Sequence, residues 1–202
     1  MRRGLVVALV AATACTPAVS PESGPDPVPT ISGSPAPATG LAALLFDEAP
    51  PGYVVVPEET RAVTLDEAVE GSDDPDEARA RLSTHGFVSG FTRTWTKDDD
   101  AGNVIYAFVY EFATEEGAQA DMNAGLGEAR RDGSETFDVP GIEGAIGVTK
   151  AAAAGAEGDD STFHAVFFVR GKRLYLVAIG GPTEPSHEQA VELAKRMDVR
   201  AR

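Results

Sequence analysis

From Val104 to Phe112 the chain reads VIYAFVYEF, and no other segment restricts its fold as much. Successive side chains of an extended chain point to opposite faces. Val104, Tyr106, Phe108, Tyr110 and Phe112 then share one face, and Ile105, Ala107 and Val109 share the other. A strand with one solvated face alternates apolar and polar residues. This one is apolar on both sides, which predicts a central strand covered on both faces.

The flanking sequence supplies neighbours and cover. Phe87, Phe91 and Trp95 fall on one face of an extended run, with Thr92, Thr94 and Thr96 on the other. Residues 97–103 (KDDDAGN) read as the hairpin loop into the central strand. Phe163–Arg170 and Arg173–Ile179 read as two strands joined by Gly171-Lys172, a pair suited to a tight hairpin turn. Ile142–Lys150 reads as a strand, Tyr53–Val56 as a further short one, and 151–161 as a loop. Leu41–Phe46 is a helical or 3₁₀ lead-in.

Helix starts are marked by their caps. Thr64 with Glu67 matches a capping box for a short helix to about Glu70. Asp74-Pro75-Asp76-Glu77 places an N-cap, a proline at the first position and acids in the first turn of a helix that stops at Gly86. Thr114 caps a helix with Glu115 and Glu116 in its first turn. Its apolar stripe is Ala118, Met122, Leu126 and Ala129, weakened by Gly117, Gly125 and Gly127. Ser186 with Gln189 opens a last helix that buries Ala190, Val191, Ala194 and Met197. The order is α-β-β-α-β-β-β-α. It implies an α+β domain with a mainly antiparallel sheet of about five to six strands and helices packed on it.

GFVSGFTRTW, YAFVYEF and TEEGAQADM in this order resemble uncharacterised actinobacterial exported lipoproteins and the PsbP-like α/β fold. The resemblance spans most of residues 50–200. It rests on core patterns, so it implies a fold and a docking or accessory role but no catalytic residue.

The N-terminus carries a processing signal. Arg2 and Arg3 precede an apolar run, Leu5–Val10, and then the small residues Ala12-Thr13-Ala14 before Cys15. That run is too short to cross a hydrocarbon core, which takes about 20 residues of helix. Ala12-Thr13-Ala14-Cys15 resembles the lipobox of bacterial lipoproteins, with Ala12 where that family usually has Leu. The resemblance implies a diacylglyceryl group on the Cys15 thiol, cleavage before it, and a location on the extracytoplasmic face of the cell membrane. The plainer alternative is ordinary A-x-A cleavage that leaves Cys15 as a free terminus. Cys15 is the sole cysteine, so no intramolecular disulfide forms. Lipidation removes an exposed thiol, and two acyl chains are what stable anchoring requires.

Residues 1–14 are thus read as a signal peptide, 15–40 as lipidated Cys plus a Pro-rich linker, and 41–202 as one globular domain. Seven of the 14 prolines lie in 16–40, so that segment stays extended and acts as a stalk. Loss of the signal removes Arg2 and Arg3 but no acid, which takes the net charge from −15 to −17. Such a charge argues against nucleic acid as a partner.

No catalytic, cofactor or metal-binding motif stands out. His85, His164 and His187 lack metal-ligand spacing. No G-x-S-x-G occurs. The glycines from Gly141 to Gly147 precede a strand rather than a helix, so they serve turns and close packing, not a phosphate. Asp98–Asp100 lacks the alternating ligands of a calcium loop. The aromatic set Trp95, Tyr106, Phe108, Tyr110 and Phe112 is a candidate ligand cleft, with Trp95, Tyr106 and Tyr110 as its contacts and the two tyrosine hydroxyls as its polar groups.

The reading that follows is a membrane-anchored, non-enzymatic binding or accessory domain of the cell envelope. Its partners are the membrane, through Cys15, and an envelope protein or small apolar ligand. The alternative is an exported enzyme with a site assembled around His164 from Glu111 and the Asp98–Asp100 acids. That alternative requires His164 to meet a carboxylate in an open cleft.

Overall fold

The computed structural model describes residues 40–202 except 49, 71, 73, 98–99, 151–160 and 183–184. Cys15, the signal segment and almost all of the linker lie outside the described residues, as do Asp98, Asp99 and nearly all of the 151–161 loop.

A 3₁₀ turn, Gly40–Leu44, leads into strand β1, Tyr53–Val63. Helices α1 (Leu65–Val69) and α2 (Pro75–Thr84) follow, then β2 (Phe87–Lys97), β3 (Asp100–Phe112) and α3 (Glu115–Arg131). The second half comprises β4 (Glu135–Asp138), β5 (Ile146–Lys150), β6 (Thr162–Arg170), β7 (Arg173–Gly181) and α4 (His187–Ala201). The strands form a single sheet in the order β1-β2-β3-β7-β6-β5-β4, with every pairing antiparallel. Both expected capping boxes form, at Thr64/Glu67 and Ser186/Gln189, and Asp74 and Thr114 accept the N-terminal amides of α2 and α3. His85 is the C-cap of α2, and Gly86 follows it at φ 78°.

The sheet has seven strands rather than five to six. The difference lies at β4, a four-residue edge strand of half-polar sequence too short to show a period. Three boundaries also move. The stretch expected to be strand from Ile142 begins it only at Ile146, because Gly141 and Gly144 turn at positive φ and Ile142 packs into the core instead. β1 runs on to Val63 across a register shift between Val56 and Arg61, where Pro57 is accommodated at the sheet edge. Asp100 to Asn103 belong to β3, paired through a second shift that sets Lys97 against Asp100.

Two cores lie on opposite faces. One is built from Trp95, Ile105, Ala107, Val109, Val166, Phe168, Tyr175 and Val177, under α4 and the 3₁₀ lead-in. Phe46 stacks on Trp95 with centroids 4.5 Å apart, and Phe168 stacks on Tyr175 at 4.8 Å. The other core joins Phe112, Val148 and Leu174 to Ala118, Met122 and Leu126 of α3 and to Val69, Ala78 and Leu82 of α1 and α2.

Candidate functional site

Antiparallel register arranges the α3 face in rows across the sheet. Tyr110, Leu174 and Val169 form one row, and Phe108, Leu176 and Phe167 the next. Tyr106, Ala178 and Ala165 form the third, and Val104, Gly180 and Phe163 the last. The first two rows contribute to the core under α3. Val104, Tyr106, Phe163, Ala165 and Ala178 belong to neither core and are half-buried. Ala165, Ala178 and Gly180 are small residues in these rows, with Tyr106 and Phe108 at one side and Phe163 at the other. The Phe163 ring lies so closely over Gly180 that a Cβ there would overlap it. Thr94 is paired with Tyr106 from β2, and its hydroxyl is buried without a hydrogen-bond partner.

The structure divides the expected aromatic set. Trp95 is paired with Ile105 and faces α4, whereas Tyr106, Phe108 and Tyr110 face α3. Trp95 is 1% exposed beneath Phe46, so it cannot line a cleft with the tyrosines. The cause is parity: positions 95 and 106 have opposite phase in this register. Phe87 moves the other way. A register shift between Phe87 and Ser89 turns it onto the α3 face, where its ring meets Tyr110 edge-on at 5.1 Å and Phe112 at 6.0 Å. Phe108 and Tyr110 stack at 4.2 Å. Burial raises the pKa of both Tyr106 and Tyr110, so both stay protonated; the Tyr106 hydroxyl pairs with Thr92, which opposes the rise.

His164 lies on the α4 face, 9% exposed. Its Nδ1 is 2.9 Å from the Thr149 hydroxyl, and it also bonds the Pro185 backbone. Burial holds it below the usual histidine range, helped by His187. Glu111 sits at the far end of the sheet with Lys172 and Arg173. His164 pairs across Ile179 to the level of Ile105, about 20 Å from Glu111 along β3. The structure therefore does not bring Glu111 to His164, while Asp98 and Asp99 lie outside the described residues.

A histidine does meet a carboxylate elsewhere. His85 Nδ1 is 3.1 Å from Asp121 on α3, and Arg81 Nε lies 3.1 Å from the same oxygen. Arg81 also pairs with Glu128 at 2.7 Å. This is a clamp between α2 and α3, reinforced at Gly117, where a Cβ would collide with the His85 carbonyl oxygen. On the other face the buried Asp198 pairs with Arg170 and Arg202, each at 2.6 Å. Arg93 donates to the Phe46 carbonyl at 2.7 Å and to Asp47 at 2.8 Å. Burial of Asp47 opposes ionisation, but Arg93 and Arg200 outweigh it and lower its pKa. These buried charges were not singled out from sequence. A signal existed: Asp121 and Asp198 fall on the apolar stripes of their helices, and Arg93 alternates with Phe91 and Trp95.

Among the described residues, no group of three or more His, Cys, Asp or Glu is placed to hold a metal ion, and no helix is long and apolar enough to cross a membrane.

Residues 42–198 match the family model described as "Domain of unknown function (DUF7373) N-terminal", and the chain belongs to that family. The fold is similar to the crystal structure of the extracellular domain of PknH from Mycobacterium tuberculosis. The TM-score is 0.52 at 15% identity, over 80% of this chain and 94% of that one. At that identity the likeness is one of fold. No curated protein sequence matches the chain.

Proposed function

We propose that this member of the DUF7373 family is an extracytoplasmic, non-enzymatic binding domain, carried at 41–202 and held to the membrane by a lipid on Cys15. The observation that carries the binding role is the trough of Val104, Tyr106, Phe163, Ala165 and Ala178, apolar side chains left outside both cores. Apolar surface with a few hydroxyls at its edge suits a small apolar ligand or an apolar segment of an envelope protein. The fold shared with an extracellular domain supports an extracytoplasmic location. The basic, apolar and small-residue order before Cys15 supports export and lipidation. The likeness to PsbP-like domains would make the same trough a docking face on a larger assembly.

Two measurements test this reading. The full chain should bind a fluorescent fatty-acid analogue saturably, and Ala178→Phe, which fills the trough floor, should abolish binding without unfolding the protein. Binding that survives Ala178→Phe, or none by the wild type, removes the trough from the account. Cys15→Ala should move the protein from the membrane to the soluble exported fraction. Retention of that variant in the membrane overturns lipid anchoring.

A further inference from the structure

The sheet has two edges, β1 and β4, and they differ as templates for another strand. An edge strand presents unpaired N–H and C=O groups that a further extended chain can take up. Along β1 that row is interrupted. Pro57 has no N–H, and the register shift between Val56 and Arg61 breaks the ladder. β4 is short but regular. Glu135, Thr136, Phe137 and Asp138 pair with Thr149, Val148, Gly147 and Ile146, with neither a shift nor a proline. Among the described residues no strand pairs with its outer side.

The surroundings of β4 give that edge a chemistry. α4 packs chiefly on β6 and β7 and reaches β5, and a groove of about 320 Å³ runs between it and the end of β4. Asp138 and Pro140 line one side, and Glu188, Val191, Glu192 and Lys195 line the other. The charge is mostly of one sign. Asp138, Glu188 and Glu192 stand against Lys195 and the ring of His187, which is paired with Glu188 at 3.1 Å. Glu135 adds a further exposed acid on the strand itself. Lys195 lies 2.7 Å from Glu192, an exposed pair of the kind that contributes little and exchanges readily. It also shows that an ammonium fits against Glu192. Val191 and Pro140 supply apolar contact for the methylene stem of a long cation. Acids on an edge often serve only to repel other strands. Repulsion does not require them on both sides of a groove next to the edge.

We propose that β4 is a docking edge for an extended basic segment of a partner protein. The segment adds to the sheet as an eighth strand beside β4, about 4.8 Å away, and its backbone takes up the free N–H and C=O groups. Side chains of the added strand alternate between the two faces. Those on the α4 side meet the groove, and a lysine or arginine there sets its charge between Asp138 and Glu192. Glu188 offsets the positive end of the α4 dipole, so the cation sits one turn further in. Side chains on the other face stand beside Thr136, which is exposed and suits a small polar neighbour. The groove lies on the α4 side of the sheet, away from the Tyr106 and Ala178 row on the α3 side, and does not depend on that row.

Fluorescence anisotropy on the full chain, with a labelled octapeptide of alternating lysine and threonine, tests this. The peptide should bind saturably and raise hydrogen-exchange protection at 135–138. An octapeptide of alternating glutamate and threonine should not bind. The lysine peptide N-methylated throughout keeps its charge but cannot pair as a strand, and should bind about tenfold more weakly or worse. Asp138→Asn combined with Glu192→Gln, both at exposed positions, should weaken the lysine peptide about tenfold at an unchanged melting temperature. Glu115→Gln combined with Glu116→Gln, exposed acids on α3, should leave its binding intact. The docking edge is overturned if the lysine peptide does not bind or leaves protection at 135–138 unchanged. It is equally overturned if the N-methylated peptide binds as well, if the Asp138/Glu192 variant has no effect, or if both double variants weaken binding alike.

Discussion

On one side of β3, Ile105, Ala107 and Val109 have no exposure at all. On the other side of the same strand, Tyr106, Phe108 and Tyr110 remain half-buried, although each is larger. The strand is equally apolar on both faces, so the difference comes from the layers. The α4 face is closed by α4, packed on β5, β6 and β7, and by the lead-in, whose Leu45 and Phe46 are 0% and 2% exposed. The α3 face is covered by a helix across β3, β7 and β6 and by short helices near β1 and β2. Their apolar residues join the rows up to Phe108, and the last two rows lie outside both cores. Along β3 one face is sealed, and the other leaves its last two rows half-buried.

If that contrast holds, Trp95→Ala should cost about 3–5 kcal/mol in urea unfolding, the usual range for a large buried aromatic. Tyr106→Ala should cost clearly less. Equal losses would mean that the two faces are equally closed. The buried carboxylates give a second comparison. Asp198→Ala removes the buried carboxylate that pairs with the Arg170 guanidinium and should cost about 3 kcal/mol.

Glycines of α3 sharpen the picture of the cover. An alanine is normally the better helix former, by about 1 kcal/mol. Gly125→Ala meets open space and should raise the melting temperature by a few degrees. Gly117→Ala should lower it, because the new methyl meets the His85 carbonyl. Smallest of all, Ala178→Leu should change stability by less than about 1 kcal/mol, since Ala178 is half-buried and outside both cores. A larger loss there would show the trough to be core.

Much of this fold is legible in the sequence. Caps at Thr64, Asp74, Thr114 and Ser186 depend on neighbours within one turn, so their short-range signal suffices. The two-sided strand at 104–112 was readable because alternation is local. Which aromatic residues share a face was not, because that depends on pairing across strands. Trp95 and Tyr106 are separated by the register of β2 on β3, and a single shift between Phe87 and Ser89 reverses Phe87. The surroundings of His164 were invisible for the same reason: His164, Thr149 and Phe137 are joined by strand pairing, and Pro185 and His187 by the path of the chain into α4.

The lead-in has a mechanical consequence. A pull on the chain ahead of Gly40 reaches the domain at the 3₁₀ turn, beside the last turns of α4. It first meets Arg200 on the Ala43 carbonyl and on Asp47, then Arg93 on Phe46 and Arg196 on Glu48. Only when these yield and the Phe46 ring leaves Trp95 does the load reach β1. That strand lies at the sheet edge and would peel from β2 pair by pair, starting at Tyr53 and Lys97. Residues 43–48 thus act as strain relief, setting the force at which the sheet begins to unzip.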